Sequence, residues 1–298
     1  MARPSADFSR IRGLHGGTPY VPLTTSDARS RRRSRRRPRR NTEIAAAETH
    51  ARGYFKDLNR LVRELYKDIA QQIVTKIPKW VKEEQELNSS DAMDEELAFL
   101  IERLKEQYRA PAVLFEYQDA ARKAERRTKA ANRVRAESQI KDLGIDVFKE
   151  PSMARLSNRF VRRNVALITS IPQQALTNVE RVVESGVQAG LRASDIAEQI
   201  LAVTTDENTP PSELEKARSR AALIARDQTL SHSAQLSRAR QRANGITKFV
   251  WRTVGDGRVR DLHEDRDGKE YTWEDGAGAK DKYPGDGINC RCSAEPVL

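Results

Sequence analysis

Cysteine is almost missing from this chain: of 298 residues only Cys290 and Cys292 are cysteines, one residue apart. Two sulfurs that close in sequence do not readily reach unstrained disulfide geometry, and a reducing compartment keeps them as thiols, so a disulfide-built scaffold is excluded. Long apolar runs are missing too. No stretch of eighteen apolar residues occurs and the N-terminus has no apolar signal core, so neither a membrane span nor a secretory leader is expected, and the chain should stay in the cytosol. Hydrophobic residues reach only 38% against 33% charged, which leaves room for one or two cores and predicts long exposed helices. There are four histidines, of which His15 and His50 lie far from the rest and His232 falls on a helix. With no phosphate-cradling Gly-rich loop, activated serine or Ser-His-Asp arrangement, no catalytic set emerges and no small-molecule substrate is expected.

What the chain has in excess is positive charge. The net charge is +11, and residues 29–40 alone carry nine arginines and no acid: Arg29, Arg31, Arg32, Arg33, Arg35, Arg36, Arg37, Arg39 and Arg40. The other residues therefore hold about +2. Residues 1–42 contain too few large apolar side chains to offset their ordering entropy, so a disordered Arg-rich arm is expected. Arginine pairs with phosphate through a planar fork and releases counterions, which makes double-stranded DNA, bound without sequence specificity, the expected partner of the arm. A solvated tail, or a scaffold or membrane-surface contact, is the alternative.

The body reads as helices. Between Glu43 and Ile77 the apolar residues Tyr54, Leu58, Leu61, Leu65, Ile69, Ile73 and Ile77 recur three or four apart, one stripe of a helix that Pro78 should end. Ser90 is a good cap for a second helix with Met93, Leu97, Leu100, Leu104 and Tyr108 on its buried face. Pro111 to Gly144 has no internal Gly or Pro, and predicts one helix with a thin stripe of Val113, Tyr117, Ala120, Ala124, Ala131 and Val134. Its basic run between Arg122 and Arg135 reads either as a second DNA or partner contact or as a solvated face laced with salt bridges. Residues 150–246 read as a bundle: a segment broken at Ile171-Pro172, a helix over 173–188 closed by Gly190, a short helix capped by Ser194-Asp195, and a long helix opened by the capping box Ser212-x-x-Glu215 and ended by Asn244-Gly245.

At residue 247 the character changes. Seven of the fifteen glycines lie between Gly255 and Gly287, where turns call for positive φ. Phe249 to Val254 reads as a strand and Asp256-Gly257 as a hairpin signal. The fold class is therefore α+β: a predominantly helical body with long N-terminal helices (43–149), a helical bundle (150–246) and a small turn-rich β module (247–298), all preceded by the arm (1–42).

Trp251, Asp256, Arg258, Arg260, His263, Asp267-Gly268 and the closing Pro284-Gly285-Asp286-x-Ile288-Asn289-Cys290-Arg291-Cys292 stand in an order that resembles the C-terminal module of the Mu F-like phage head morphogenesis proteins, minor head proteins of tailed bacteriophages. Two further elements are similar: Asn164, Leu167, Ile168, Ser170 and Ile171, and Ala225-Arg226-Asp227-Gln228, where glutamine replaces the family's acid. The resemblance covers roughly residues 150–298. It implies a minor capsid protein, found in the virion inside the head or at the portal vertex, with the portal protein and a major capsid or scaffolding protein as partners.

His263, Cys290 and Cys292 are zinc ligand types, with Asp256, Asp265 or Asp267 as a fourth. A hydrogen-bonded core of histidine and free thiols accounts for the same residues without any cofactor. Asp256, Arg258, Arg260 and Asp267 are expected to tie loops together. Besides the head protein, a general nucleic-acid-binding protein and a metal-dependent nuclease with His263 as base remain as alternatives.

Overall fold

In the computed structural model, which describes residues 42–87, 91–202 and 209–298, the stripe of the first helix decides the packing. Helix α1 (Thr42–Gln72) buries Tyr54, Leu58, Leu65 and Ile69 almost completely, each such side chain contributing about 1.5–3 kcal/mol of transfer free energy. The arm 1–42, apart from Thr42, and the Ser90 cap lie outside the described residues.

Pro78 acts differently from the expectation. The helix yields before it, through a 3-10 turn (Val74–Lys76), and Pro78 sits in the first turn of a new helix, α2 (Ile77–Leu87). Proline has no N–H for the Val74 carbonyl; the Ile77 N–H takes that acceptor instead, and a first turn tolerates the missing donor. Helix α3 (Asp91–Gln107) buries Met93, Leu97, Leu100, Leu104 and, just beyond its end, Tyr108, as its periodicity predicts.

Helix α4 (Pro111–Asp142) is continuous, and its buried face follows the expected stripe at Tyr117, Ala120 and Ala124 but departs from it beyond them. Val134 is exposed, and the face runs on through Thr128, Asn132, Ala136 and Ile140. Two of these are polar, which is why a search for apolar periodicity missed the turn. Some of the basic side chains of α4 meet acids: Lys123 lies 3.4 Å from Asp57 and Lys129 lies 3.2 Å from Glu125.

Helix α5 (Ala154–Gln188) is also unbroken, with Pro172 inside it rather than ending it. The lost backbone bond is local, and the ring is buried near Leu61, Tyr108, Tyr117 and Ile168. Gly190, at φ +67°, closes the helix chain turn as predicted. Helix α6 (Ala193–Leu201) starts one residue before Ser194, so Ser194 and Asp195 occupy its first turn and make no side-chain cap. Helix α7 (Glu213–Ala243) has the predicted capping box, with Ser212 accepting from the Glu215 N–H.

Helices α1, α4, α5 and α7 pack on one another, with α2, α3 and α6 against α5. A polar chain crosses this body. Arg240, fully buried, donates to both Glu150 oxygens at 2.9 and 2.6 Å and to Asn132. Asn132 donates to Ser237 at 2.8 Å, and Ser237 donates to Glu43 at 2.7 Å. Burial, against the opposing pull of the Ser237 bond, pushes the Glu43 carboxyl above its usual range.

The C-terminal module is a three-stranded antiparallel sheet in the order β2-β1-β3, formed by β1 (Lys248–Arg252), β2 (Glu270–Thr272) and β3 (Ser293–Val297). Asp256-Gly257 does not make a tight hairpin. A long connection containing the one-turn helix α8 (Asp261–Glu264) joins β1 to β2. Phe249, Trp251, Trp273, Cys290, Cys292 and Ala294 form its core, and the Gln241 amide of α7 donates to the Ala294 carbonyl at 3.0 Å. The fold is thus mostly helical with a small β module. Among the described residues no helix is long and apolar enough to cross a membrane.

Candidate functional site

Three chemistry-bearing side chains meet beneath the sheet. His263 projects from α8, while Cys290 and Cys292 come from the segment entering β3, and all three are buried. His263 Nδ1 lies 3.7 Å from Cys290 Sγ and 3.5 Å from Cys292 Sγ. The other ring nitrogen, Nε2, lies 3.0 Å from Asp281 Oδ2. A carboxylate accepts only, so Nε2 carries a proton, and Nδ1 faces the sulfurs. The Trp251 ring meets the imidazole edge-on at 5.2 Å between centroids.

The two sulfurs are electrostatically unequal. The Cys292 thiol hydrogen-bonds Cys290 and, with the Gly285 N–H 3.4 Å away, pulls the Cys290 thiol below its ordinary range against the opposing effect of burial. The same bond and burial push Cys292 up.

Buried Arg266 supports this centre. Its guanidinium donates to the carbonyls of Asp281 at 2.7 Å and Lys280 at 2.9 Å and lies over the Trp251 ring at 5.0 Å. Asp281 itself adopts φ +48°, a left-handed conformation that Asp tolerates better than most residues.

The remaining sequence-predicted residues form ties between loops. Asp256 accepts both Arg291 nitrogens at 2.6 Å and the Arg258 N–H at 3.1 Å; chiefly the Arg291 pair holds its carboxyl below the usual range. Arg258 is itself largely exposed. Arg260 donates to the Ile288 carbonyl at 2.6 Å, and Asp267 accepts the Thr253 N–H at 2.8 Å. Gly268 (φ +78°) donates to the Trp251 carbonyl. Asp286 accepts the Tyr283 N–H at 3.0 Å, and Pro284 and Gly285 are buried. Asp256, Asp265 and Asp267 do not join the group of His263, Cys290 and Cys292.

Asn289 fastens the closing segment to α7: its N–H donates to Asp227 at 2.7 Å, and Arg226 donates to its side chain at 3.2 Å. Asp281 and Arg266 escaped the sequence reading, Asp281 because the stretch between Gly268 and Tyr283 has no recognisable spacing. The one available signal was an acid in that stretch able to serve a buried histidine.

Residues 177–295 match the family described as Phage Mu protein F like protein, so the chain carries a Mu protein F-like domain there. The match begins after Asn164–Ile171, which narrows the span expected from the sequence. An uncharacterized protein of Haemophilus influenzae (strain ATCC 51907 / DSM 11121 / KW20 / Rd) is 33% identical over 159 residues, 53% of this chain and 33% of that protein. The chain thus covers about a third of the length of this relative. No solved structure gives a significant match.

Proposed function

From the Mu protein F-like domain over residues 177–295, we propose that this chain is a minor head protein of a tailed phage that acts in head morphogenesis. In this reading it docks to the portal and to the capsid or scaffold interior during procapsid assembly, and its nine-arginine segment neutralises phosphates of packaged DNA. The family match is the observation that carries the proposal.

The architecture supports a docking role. The β module is fixed to α7 through Asp227–Asn289 and Gln241–Ala294, so a partner that grips the module also orients the helical body. Asp256, Arg260 and Asp267 are engaged between loops, and His263 is 2% exposed, whereas a hydrolytic histidine must reach its substrate. No enzymatic activity forms part of this proposal.

Immature heads purified from cells expressing this chain with its phage's portal and capsid proteins provide the test. Copurification with portal is expected. Binding to bulk DNA without any association with portal or capsid would instead favour a general nucleic-acid-binding protein.

A further inference from the structure

We propose that His263, Cys290 and Cys292 bind one zinc ion that locks the β module, and that Asp281 positions the histidine for it. The ligand atoms of the three residues lie within 4.8 Å of one another. Zinc sits about 2.3 Å from a thiolate and about 2.0–2.1 Å from an imidazole nitrogen, so a tetrahedral centre sets each S···N edge at about 3.6 Å. The two edges here are 3.7 and 3.5 Å. A single ion at that centre satisfies both.

The surroundings have the organisation of a metal centre. A ligating histidine characteristically donates its second ring N–H to a carboxylate, which fixes the tautomer and raises the basicity of the ligand nitrogen. Asp281 does this at 3.0 Å. Gly287 leaves the space it needs, because a Cβ there would lie 2.9 Å from Asp281 Oδ2. Arg266 in turn holds the backbone at 280–281 through two carbonyls. The three side chains supply three of the four positions of a tetrahedron.

A nucleophilic Cys-His-Asp arrangement is the competing reading of the same atoms. It calls for one sulfur on the imidazole and a path for substrate. Here two sulfurs share Nδ1, and His263, Cys290 and Cys292 are 2%, 4% and 3% exposed. The chemistry also suits the setting: two thiolates and a neutral imidazole form a borderline-soft donor set that favours zinc over magnesium or calcium. A module whose core holds only four buried apolar residues besides the two cysteines gains from a crosslink between α8 and the segment entering β3.

The test uses the full-length chain, stripped with chelator and titrated with Co2+ and then Zn2+. One Co2+ per chain with a thiolate-to-cobalt absorption band, displaced by Zn2+, is the expected result. Zn2+ should also raise the thermal midpoint. Asp281→Asn should retain the band and weaken binding roughly 10- to 100-fold, whereas Cys290→Ser with Cys292→Ser should abolish the band. A stripped wild-type chain that keeps its native circular dichroism yet gives no thiolate band and no thermal shift overturns the site. Unchanged affinity in Asp281→Asn overturns the positioning role. Neither result bears on the head-assembly reading, which rests on association with portal.

Discussion

Gly285 shows how tightly the closing segment is pressed onto the helical body. It sits at φ +88°, and a Cβ there would lie 2.4 Å from the Cβ of Ala234 on α7. Gly285→Ala therefore combines left-handed strain of about 1–2 kcal/mol with overpacking of about 1–3 kcal/mol. Gly144 is the natural control, with φ +81° and nothing within 4 Å of the added carbon, so Gly144→Ala should show the strain alone. Urea midpoints of the two variants isolate the contribution of the close approach. Equal losses would mean that the segment gives way at no cost and is not pressed onto α7. The same scale holds the clearest limit of the sequence. His263, Cys290 and Cys292 stood out by type and spacing, but Asp281 acquires its role only because the loop folds back 3.0 Å from the imidazole.

Among the elements, the corner between α2 and α3 carries its own pH dependence. Glu96 of α3 accepts from Lys76, from the Trp80 indole at 3.0 Å and from Lys79 at 3.3 Å. These bonds, that from Lys76 foremost, pull its carboxyl down to about 2 from the ordinary 4.5. A depressed carboxylate stabilises the fold fully above its unfolded value and loses that contribution as pH falls through the folded one. The thermal midpoint should thus decline between about pH 4.5 and 2 in the native chain, and Glu96→Gln should flatten that part of the profile while lowering the midpoint at pH 7. Parallel profiles for the two chains would show that the corner contributes nothing. At this scale, too, proline misled: Pro172 was expected to break α5, yet the helix runs from Ala154 to Gln188. A proline removes one local bond, and burial of its ring among Leu61, Tyr108 and Tyr117 offsets that loss in a way no window of sequence contains.

For the whole molecule, the uneven charge gives the most direct prediction. Nine arginines within residues 29–40 supply nearly all of the +11. If all nine engage duplex DNA, the log-log salt slope is about −8, roughly a 10⁵-fold loss of affinity from 50 to 200 mM salt. Deleting residues 29–40 should remove most of that dependence. The helical core should survive, since its buried stripe starts downstream at Ile44 and Tyr54. Fluorescence anisotropy with a DNA duplex across a salt series measures the slope, and circular dichroism checks the body. An unchanged slope would transfer DNA binding to the body, where the basic run of α4 is already partly neutralised by Asp57 and Glu125.

Features governed by neighbours along the chain are already legible in the order of residues: the stripe of α1, the buried face of α3, the capping box of α7 and the change to glycine-rich turns after residue 247. Contacts between residues three or four apart obey a fixed helical geometry, so spacing alone reveals them. Tertiary structure decided the rest. The face of α4 is set by Asn132 meeting Arg240 and Ser237, and the loop ties depend on Asp256 meeting Arg291 and Asp227 meeting Asn289. Beside the histidine-cysteine centre, Asp281 is brought 3.0 Å from His263 in the same way. Each pairing joins residues far apart in sequence, and its free energy arises only when packing brings the partners together and removes the water that would otherwise satisfy them.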